Sequence, residues 1–324
     1  MRYAGLKGLL VLLLFVTAHA RAIQQQKIDP QTTLVKIEEQ KKTVAANPDD
    51  DEAHVKLGHL WFDLQQYDEA EKSYRRALEL NPKDPNLKRY LGTVLHNQGQ
   101  KDEAIRYYRE YLATGPDSAD KKEIEGRISW LERVPQQTLV NNLLVHAAGE
   151  GNLAYVNILI AKGADVNFQE QYEYKKPLSV AAEKGHVSIV QALLAKGAKD
   201  ENGVALAAAY RSGHSEIEKL LTPNPLPPKI AEQLLYAALR KNDVQRFTSL
   251  VDLVGPEERD EVLLSALSHS DKQPTEIVRV LLEKGVNVNQ PTKYKTPLMH
   301  AADKGYTDIV NLLLARGAQV NVQT

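Results

Sequence analysis

The sequence contains no cysteine, and this absence removes several kinds of chemistry. Without thiols the chain forms no disulfide, offers no thiolate ligand to a metal ion and carries no cysteine for lipid attachment. Charge of either sign is also not in excess, because 41 Lys and Arg residues balance 42 Asp and Glu residues. Since a basic surplus marks proteins that bind polyanions, we expect no nucleic-acid partner.

The chain also lacks the short motifs of catalytic and metal sites. It has no His-Glu-x-x-His, no Gly-x-Ser-x-Gly and no phosphate-binding Gly-Lys-Ser/Thr. The stretch GEGNLA, Gly149 to Ala154, fits a dinucleotide pattern formally, but its glycines do not lie between a strand and a helix. His54 and His59 are five residues apart, which does not place two ligands on one helix face. We expect no cofactor, metal site or catalytic residue.

The first 22 residues have the three-part pattern of a secretory signal peptide. Arg2 and Lys7 are followed by an apolar run from Leu9 to Val16 and then by small residues that include Ala20 and Ala22. Spanning a bilayer takes about 20 apolar residues, so cleavage after Ala20 or Ala22 is favoured over a retained anchor. We expect export to the periplasm or the outside of a bacterial cell, with no stable membrane span after cleavage.

Two neighbouring stretches repeat one pattern, VKLGHLWFDLQQYDEAEKSYRRALELNP and RYLGTVLHNQGQKDEAIRYYREYLATGP. Gly58 and Gly92 are 34 residues apart, and Asp-Glu-Ala opens the second half of each stretch. The spacing is typical of helical hairpins in which glycine and alanine permit close approach while Trp61, Tyr74 and Tyr108 fill the space between helices. The pattern resembles the tetratricopeptide repeat family over about residues 31–133.

The resemblance implies a peptide-binding groove lined by the first helix of each hairpin. One subclass of the family clamps a C-terminal carboxylate with Lys, Asn and Arg, but those positions here hold Val55, His59 and Thr93, so we do not expect that ligand. For each candidate the alternative is a solvated helix face. The candidates implied by the resemblance are Glu52, Val55, His59, Phe62, Arg89, Thr93, His96, Asn97 and Arg127.

A second pattern begins near residue 138. LLVHAAGEGNLAYVNILIAKGADVN, KPLSVAAEKGHVSIVQALLAKGAKD and TPLMHAADKGYTDIVNLLLARGAQVN share paired alanines, a central glycine and an apolar segment before Gly-Ala. They resemble the ankyrin repeat family over about residues 140–324, in about six units. The resemblance implies two short helices per unit joined to the next unit by an extended finger. We therefore expect an all-α fold of two consecutive α-solenoid repeat arrays, with short finger turns in the second.

These patterns predict the domain organisation. We expect a signal peptide at residues 1–22, a tetratricopeptide array at 31–133, a linker at 134–139 and an ankyrin array at 140–324. The proline-rich stretch 222–229 cannot continue a helix, and we expect it to break the second array.

Tyr172, Tyr174 and Tyr294 fall in the finger segments, and lysines follow or flank them. An exposed aromatic anchor can contribute about 2 kcal/mol to an interface, so we interpret these tyrosines as candidate protein-binding residues. The alternative is that each ring packs on its neighbouring finger.

The last repeat of the sequence places apolar side chains on its second helix, and solenoids usually end in a unit with a polar outer face. If Ile309, Val310, Leu313 and Leu314 are not covered from one side, we expect this end to associate with a partner or with itself.

Together the two patterns predict a non-catalytic scaffold or adaptor that is exported and binds client proteins through the concave surfaces of both arrays. Three alternatives remain: a secreted effector that binds host proteins, an enzyme or an accessory subunit of an envelope enzyme, and a structural spacer. The sequence does not identify the partner.

Overall fold

The computed structural model describes residues 29–170, 175–269, 273–291 and 295–322 of the 324-residue chain. The segment interpreted as a signal peptide lies outside the described residues. Within these four ranges the regular structure consists of helices and no β-strand, which confirms the all-α fold class. No helix of the described ranges combines the length and the apolar character needed to cross a membrane.

The chain divides into two compact units, of which the first covers residues 1–165. Its described helices are α1 (Pro30–Ala46), α2 (Asp51–Asp63), α3 (Tyr67–Leu80), α4 (Pro85–Asn97), α5 (Lys101–Leu112), α6 (Ser118–Arg133), α7 (Gln136–Glu150) and α8 (Leu153–Ala161). Helices α2 with α3, α4 with α5, and α7 with α8 pack as hairpins. The first two hairpins belong to the tetratricopeptide pattern, and the third is the first hairpin of the ankyrin pattern.

Aspartates begin several of these helices. The side chains of Asp29, Asp50, Asp84 and Asp117 each accept hydrogen bonds from backbone N–H groups in the first turn of α1, α2, α4 and α6. Such a cap satisfies donors that have no partner within the helix and contributes about 1 kcal/mol. The helix starts are therefore fixed locally by the sequence.

Close approach within the tetratricopeptide hairpins depends on glycine facing tyrosine. A Cβ atom built on Gly58 would lie 2.5 Å from Cε1 of Tyr74, and one on Gly92 would lie 2.6 Å from Cδ1 of Tyr108. Both tyrosine rings are buried. In contrast, a Cβ on Gly126 would meet no atom within 4 Å. The predicted packing role is thus confirmed for Gly58 and Gly92. Gly126 follows Gly92 by the same 34 residues but faces open space.

The joint between the two repeat patterns is shorter than the linker expected at residues 134–139. Helix α6 ends at Arg133 and α7 begins at Gln136, so only two residues lie outside helices. Lys101 Nζ donates to the Val134 carbonyl at 2.9 Å, and Gln136 Nε2 donates to the Gly99 carbonyl at 2.5 Å. These bonds tie the joint to the turn between α4 and α5. Consistently, the first compact unit extends past the joint to Asp165.

The second compact unit covers residues 166–324 and stacks further hairpins. Its described helices are α9 (Pro177–Lys184), α10 (Val187–Ala195), α11 (Val204–Ser212), α12 (Ser215–Leu221), α13 (Pro228–Lys241), α14 (Val244–Leu250), a 3-10 turn (Val251–Leu253), α15 (Pro256–His269), α16 (Thr275–Glu283), α17 (Pro297–Asp303) and α18 (Thr307–Ala315). Each first helix packs on the first helix of a neighbouring hairpin, as in α9 on α11 and α11 on α13.

The proline-rich stretch 222–229 does not interrupt the core, in contrast to the break that we expected there. One buried cluster runs from Leu206 on α11 through Leu234 on α13 to Leu313 on α18. Helix α13 begins within the stretch, at Pro228, and places Ile230 against Gly203, where a Cβ would lie 2.7 Å from Ile230 Cγ2. The prolines end α12 and start α13, and stacking continues across them.

Asparagines in the fingers hold neighbouring repeats together. The Asn167 amide accepts from the backbone N–H of Lys199 at 2.9 Å and donates to the Gly197 carbonyl at 3.0 Å. Asn289 makes the same two kinds of bond with residues that follow it by 30 and 28 positions. It accepts from the backbone N–H of Gln319 at 2.8 Å and donates to the Gly317 carbonyl at 3.2 Å. In each case the amide oxygen accepts one bond and the amide nitrogen donates the other. The two bonds fix the turn that follows the second helix of the next hairpin.

Alanine substitutions at Gly92 and Gly126, which are one repeat apart, test whether a glycine is needed for close packing against a tyrosine ring. Gly92→Ala would push a methyl group into the buried Tyr108 ring and should lower the free energy of unfolding by about 1–3 kcal/mol. Gly126→Ala is the matched control, because alanine in an open helix interior gains about 0.5–1 kcal/mol over glycine. Urea unfolding followed by circular dichroism measures both. Equal effects of the same sign would contradict the packing role of Tyr108.

Candidate functional site

The candidate residues of the tetratricopeptide region lie on α2, α4 and α6, the first helices of their units. We call the surface formed by His59, Arg89, Thr93, His96 and Arg127 the first-helix face. All five side chains are partly exposed. Their contacts group them into three sets along the face.

The first set centres on the His59 ring. Its Nδ1 is hydrogen-bonded to the Tyr74 hydroxyl at 2.6 Å, and the ring meets Tyr90 edge to face at 4.7 Å between centroids. Burial, followed by the nearby charge of Arg89, lowers the pKa of His59 below its ordinary value. The imidazole is therefore neutral at pH 7 and acts as an aromatic and hydrogen-bonding group.

The second set surrounds the Arg89 guanidinium. Its Cζ lies 5.4 Å from the ring centroid of Tyr90 and 5.9 Å from that of Tyr111. The only recorded carboxylate partner among the described residues is Asp120, with Nη1 to Oδ2 at 3.8 Å. That oxygen already accepts a hydrogen bond from the Tyr111 hydroxyl at 2.6 Å. A cation held between two rings and a distant carboxylate keeps much of its capacity to bind an anion.

The third set joins α4 to α6. The Tyr108 hydroxyl donates to Thr93 Oγ1 at 3.3 Å, and Arg127 Nε donates to Glu123 at 3.0 Å. His96 lies against Trp130 with ring centroids 5.6 Å apart. Burial, with a smaller contribution from the Arg127 charge, lowers the pKa of His96 to about 3.

Three candidates lie apart from these sets or contribute in another way. Val55 is partly buried on α2, and Phe62 packs on the Tyr67 ring at 5.4 Å. Asn97 Nδ2 donates to the Thr93 carbonyl at 2.9 Å at the end of α4. Phe62 and Asn97 thus lie where the tetratricopeptide hairpins meet the next hairpin.

The α7–α8 hairpin packs directly on the turns of the tetratricopeptide hairpins. The Tyr155 ring meets Tyr67 at 5.0 Å, and its hydroxyl donates to the Asn97 carbonyl. Lys162 Nζ donates to the Gln98 carbonyl at 2.8 Å. A hydroxyl and an ammonium thereby satisfy carbonyls at the C-terminal end of α4, where the helix itself supplies no donors. The two repeat types share one packed core in this unit.

Sequence reasoning missed several residues of the face. Tyr90, Trp130 and Glu123 were not among the candidates, and Tyr155 was assigned only to the ankyrin pattern. The repeat register contains the signal for two of them. Position four after the glycine is Phe62, His96 and then Trp130, and position three before it is Val55, Arg89 and then Glu123. No comparable signal marks Tyr155, because its partners are about 60 to 90 residues away in sequence.

The candidates of the ankyrin region can be placed only in part. Tyr172, Tyr174 and Tyr294 lie outside the described residues. His214, which follows a turn glycine, is hydrogen-bonded through Nε2 to the Glu183 carbonyl at 3.0 Å. In the described ranges no group of three His, Asp or Glu side chains is arranged to hold a metal ion.

The apolar side chains of α18 and of the residues that follow it differ in their burial. Ile309 and Leu313 are fully buried, whereas 41% of Leu314 and 69% of Val320 are exposed. The apolar residues of α18 are thus divided between the core and the surface.

Comparisons with known protein families match both repeat patterns. The tetratricopeptide repeat model matches residues 41–85 and 55–119. The model for three ankyrin repeats matches residues 144–230 and 234–324, which together make up more than half of the chain. The order predicted from the sequence, tetratricopeptide repeats followed by ankyrin repeats, is confirmed.

Three relatives are ankyrin repeat proteins or domains by name. The Caenorhabditis elegans ankyrin repeat and KH domain-containing protein mask-1 is 35% identical over 103 residues, which are 30% of this chain and 4% of that protein. The human ASB11 ankyrin repeat domain is 23% identical, covers 56% of this chain and 86% of its own, and has a TM-score of 0.38. An ankyrin repeat domain from Acinetobacter baumannii is 22% identical, covers 54% and 98%, and has a TM-score of 0.37.

Substitution of Tyr155 tests the shared core. Tyr155→Ala removes a buried ring and should lower the free energy of unfolding by about 3–5 kcal/mol. Tyr155→Phe removes only the hydroxyl bound to the Asn97 carbonyl and should cost about 1 kcal/mol. Tyr236→Phe is the control, because no hydrogen bond of its hydroxyl is recorded among the described residues. Urea unfolding gives the energies, and faster amide exchange at the end of α4 in Tyr155→Ala would confirm the contact. Unchanged exchange would contradict it.

The depressed pKa of His96 predicts acid sensitivity. An unfolded histidine takes up a proton near its ordinary pKa of about 6.5, whereas folded His96 stays neutral down to about pH 3. The unfolded state binds more protons between these values, so the stability present above pH 6.5 is lost as the pH falls. Relative to His96→Gln, the wild-type free energy of unfolding should fall by at most about 1.4 kcal/mol per pH unit between pH 6 and 4. Parallel pH profiles would show that His96 protonates freely in the fold.

Proposed function

Because this chain belongs to the ankyrin repeat family and carries tetratricopeptide repeats before its ankyrin repeats, we propose that it is an exported, non-catalytic adaptor that binds client proteins. Both repeat families support a role as a protein–protein interaction scaffold. Export, client binding and the absence of catalysis go beyond what the two repeat families indicate by themselves.

The proposal is supported mainly by the side chains of the first-helix face. Three neighbouring helices present neutral histidines, aromatic rings and two arginines on partly exposed positions. Aromatic and arginine side chains are the groups that contribute most to protein interfaces. The face is also held rigidly, because its side chains are fixed by contacts such as His59 with Tyr74 and Thr93 with Tyr108. A rigid surface loses less conformational entropy on binding.

The presence of two kinds of repeat in one chain also supports an adaptor role. The sequence places Tyr172, Tyr174 and Tyr294 in the fingers of the ankyrin array, which belong to a different compact unit from the first-helix face. One molecule with two binding surfaces raises the effective concentration of one client near another. This bridging role distinguishes an adaptor from a structural spacer.

Client binding is tested by affinity capture from bacterial envelope extract, with quantification by mass spectrometry. The wild-type chain should retain at least one protein above the background of an unrelated repeat protein. A triple variant, Tyr172→Ala, Tyr174→Ala and Tyr294→Ala, separates the fingers from the first-helix face. Clients lost by the variant bind the fingers, and clients kept by it bind elsewhere. Background levels with both proteins would contradict the adaptor role.

Export is tested by expression of the full chain in a bacterium, followed by cell fractionation and N-terminal sequencing. We expect a mature protein that begins at Arg21 or Ile23 in the periplasm or the medium. Leu13→Arg, which interrupts the apolar run, is the control and should leave the precursor inside the cell. An unprocessed wild-type protein in the cytoplasm would contradict export. Release into the medium would favour the effector alternative over the periplasmic adaptor.

A further inference from the structure

Arg89 differs from other arginines of the same unit in how its charge is satisfied. The Arg75 guanidinium donates to Glu71 at 2.7 Å, to Glu103 at 2.9 Å and to the Tyr107 hydroxyl at 3.0 Å. Arg127 contacts Glu123 through Nε at 3.0 Å and through Nη2 at 2.9 Å. These two guanidinium groups have close carboxylate partners, as is usual when an arginine is partly removed from water.

No comparable partner of Arg89 is found in the described part of the chain. Its Nε is buried and has no hydrogen-bond partner there, and its nearest carboxylate oxygen, Asp120 Oδ2, is 3.8 Å from Nη1. A buried N–H without an acceptor costs about 1–3 kcal/mol. About a third of the side chain, 32%, nevertheless remains exposed on the first-helix face. The exposed part of the Arg89 side chain is therefore reachable from solvent, whereas the buried Nε is not.

The surroundings of Arg89 restrict what can bind its terminal N–H groups. The guanidinium lies over the rings of Tyr90 and Tyr111, which limits the directions from which a ligand can approach it. A carboxylate fits the fork of N–H donors with two parallel hydrogen bonds. Asp120 already places one negative charge nearby, and a dianionic phosphate would meet more repulsion there than a monoanion.

We propose that Arg89 binds the carboxylate of an acidic side chain, Asp or Glu, in a peptide segment of a client protein that lies on the first-helix face. The inference rests on the proposed client binding and specifies its chemistry. It differs from a clamp for a C-terminal carboxylate, because Val55, His59 and Thr93 occupy the positions that such a clamp requires. The carboxylate would bond to the terminal N–H groups of Arg89, whose charge has Asp120, 3.8 Å away, as its carboxylate partner among the described residues.

A phage library of random dodecapeptides provides a defined probe. Peptides joined to the coat protein through their C-termini have no free terminal carboxylate, so an enriched anion must be a side chain. Binders selected on the purified full chain should share an Asp or Glu at one position. Synthetic, C-terminally amidated versions are then titrated against the protein by fluorescence anisotropy, with the acidic residue present or replaced by Asn or Gln.

Removal of the peptide's acidic group should weaken binding to the wild-type chain about tenfold, and should change binding to Arg89→Gln by less than about twofold. Arg89→Lys should recover only part of the affinity, because an ammonium cannot form two parallel bonds. Arg76→Gln, at an exposed arginine of α3, is the matched control and should bind like the wild type. Asp120→Asn should tighten binding of the acidic peptide, since it removes a like charge.

The outcomes separate the inference from the proposed function. Binders without a shared acidic residue, or an equal loss on replacing that residue in wild-type and Arg89→Gln proteins, would overturn the role of Arg89 and leave peptide binding standing. Failure to select any peptide would overturn both. The replacement of the acidic residue in the peptide is measured on the wild-type chain, so this result does not require any protein variant to fold. Circular dichroism melting curves show whether the protein variants are folded.

Discussion

The close contact between first and second helices within each tetratricopeptide hairpin is the constraint on which the first-helix face depends. Gly58 and Gly92 let the rings of Tyr74 and Tyr108 lie against the helix backbone, and a methyl group at either position would collide with them. The same two tyrosines then hold groups of the face, His59 and Thr93, through their hydroxyls. One residue type thus sets the helix spacing and fixes the binding surface. Packing and candidate function are coupled because the core tyrosines reach the surface with their polar ends.

The junction of the two repeat patterns shows how a solenoid can change its repeat type without a flexible linker. In such arrays each hairpin depends on its neighbour for burial of its apolar side. Tyr155 and Lys162 satisfy carbonyls at the end of α4, and Gln136 bonds to the Gly99 carbonyl. A hairpin of the ankyrin pattern therefore provides the neighbour that the tetratricopeptide turns require. Whatever occupies the first-helix face lies on the same packed body as this hairpin.

The first-helix face combines neutral and charged groups in a way that favours selective binding. His59 and His96 are neutral at pH 7 because burial lowers their pKa values, so they add aromatic surface without adding charge. Arg127 is paired closely with Glu123, whereas the carboxylate partner of Arg89 among the described residues is 3.8 Å away. A mostly neutral surface with one under-paired cation discriminates between partners by charge, since an acidic group gains at one position only.

The sequence by itself determined the repeat types, their order, the all-α class and most helix starts, because these follow from local signals that recur at a fixed spacing, such as Gly58 and Gly92. The resemblance to the tetratricopeptide family also implied His59, Arg89, Thr93, His96 and Arg127 as candidates on first helices. Only the tertiary structure decided which residues at the same repeat position make the same contacts. A Cβ on Gly92 would meet the Tyr108 ring, whereas one on Gly126 would meet no atom within 4 Å. The tertiary structure also decided that stacking continues across the prolines at 222–229, and that Tyr155 joins the two patterns. These outcomes depend on contacts between residues far apart in the chain, which no local pattern records.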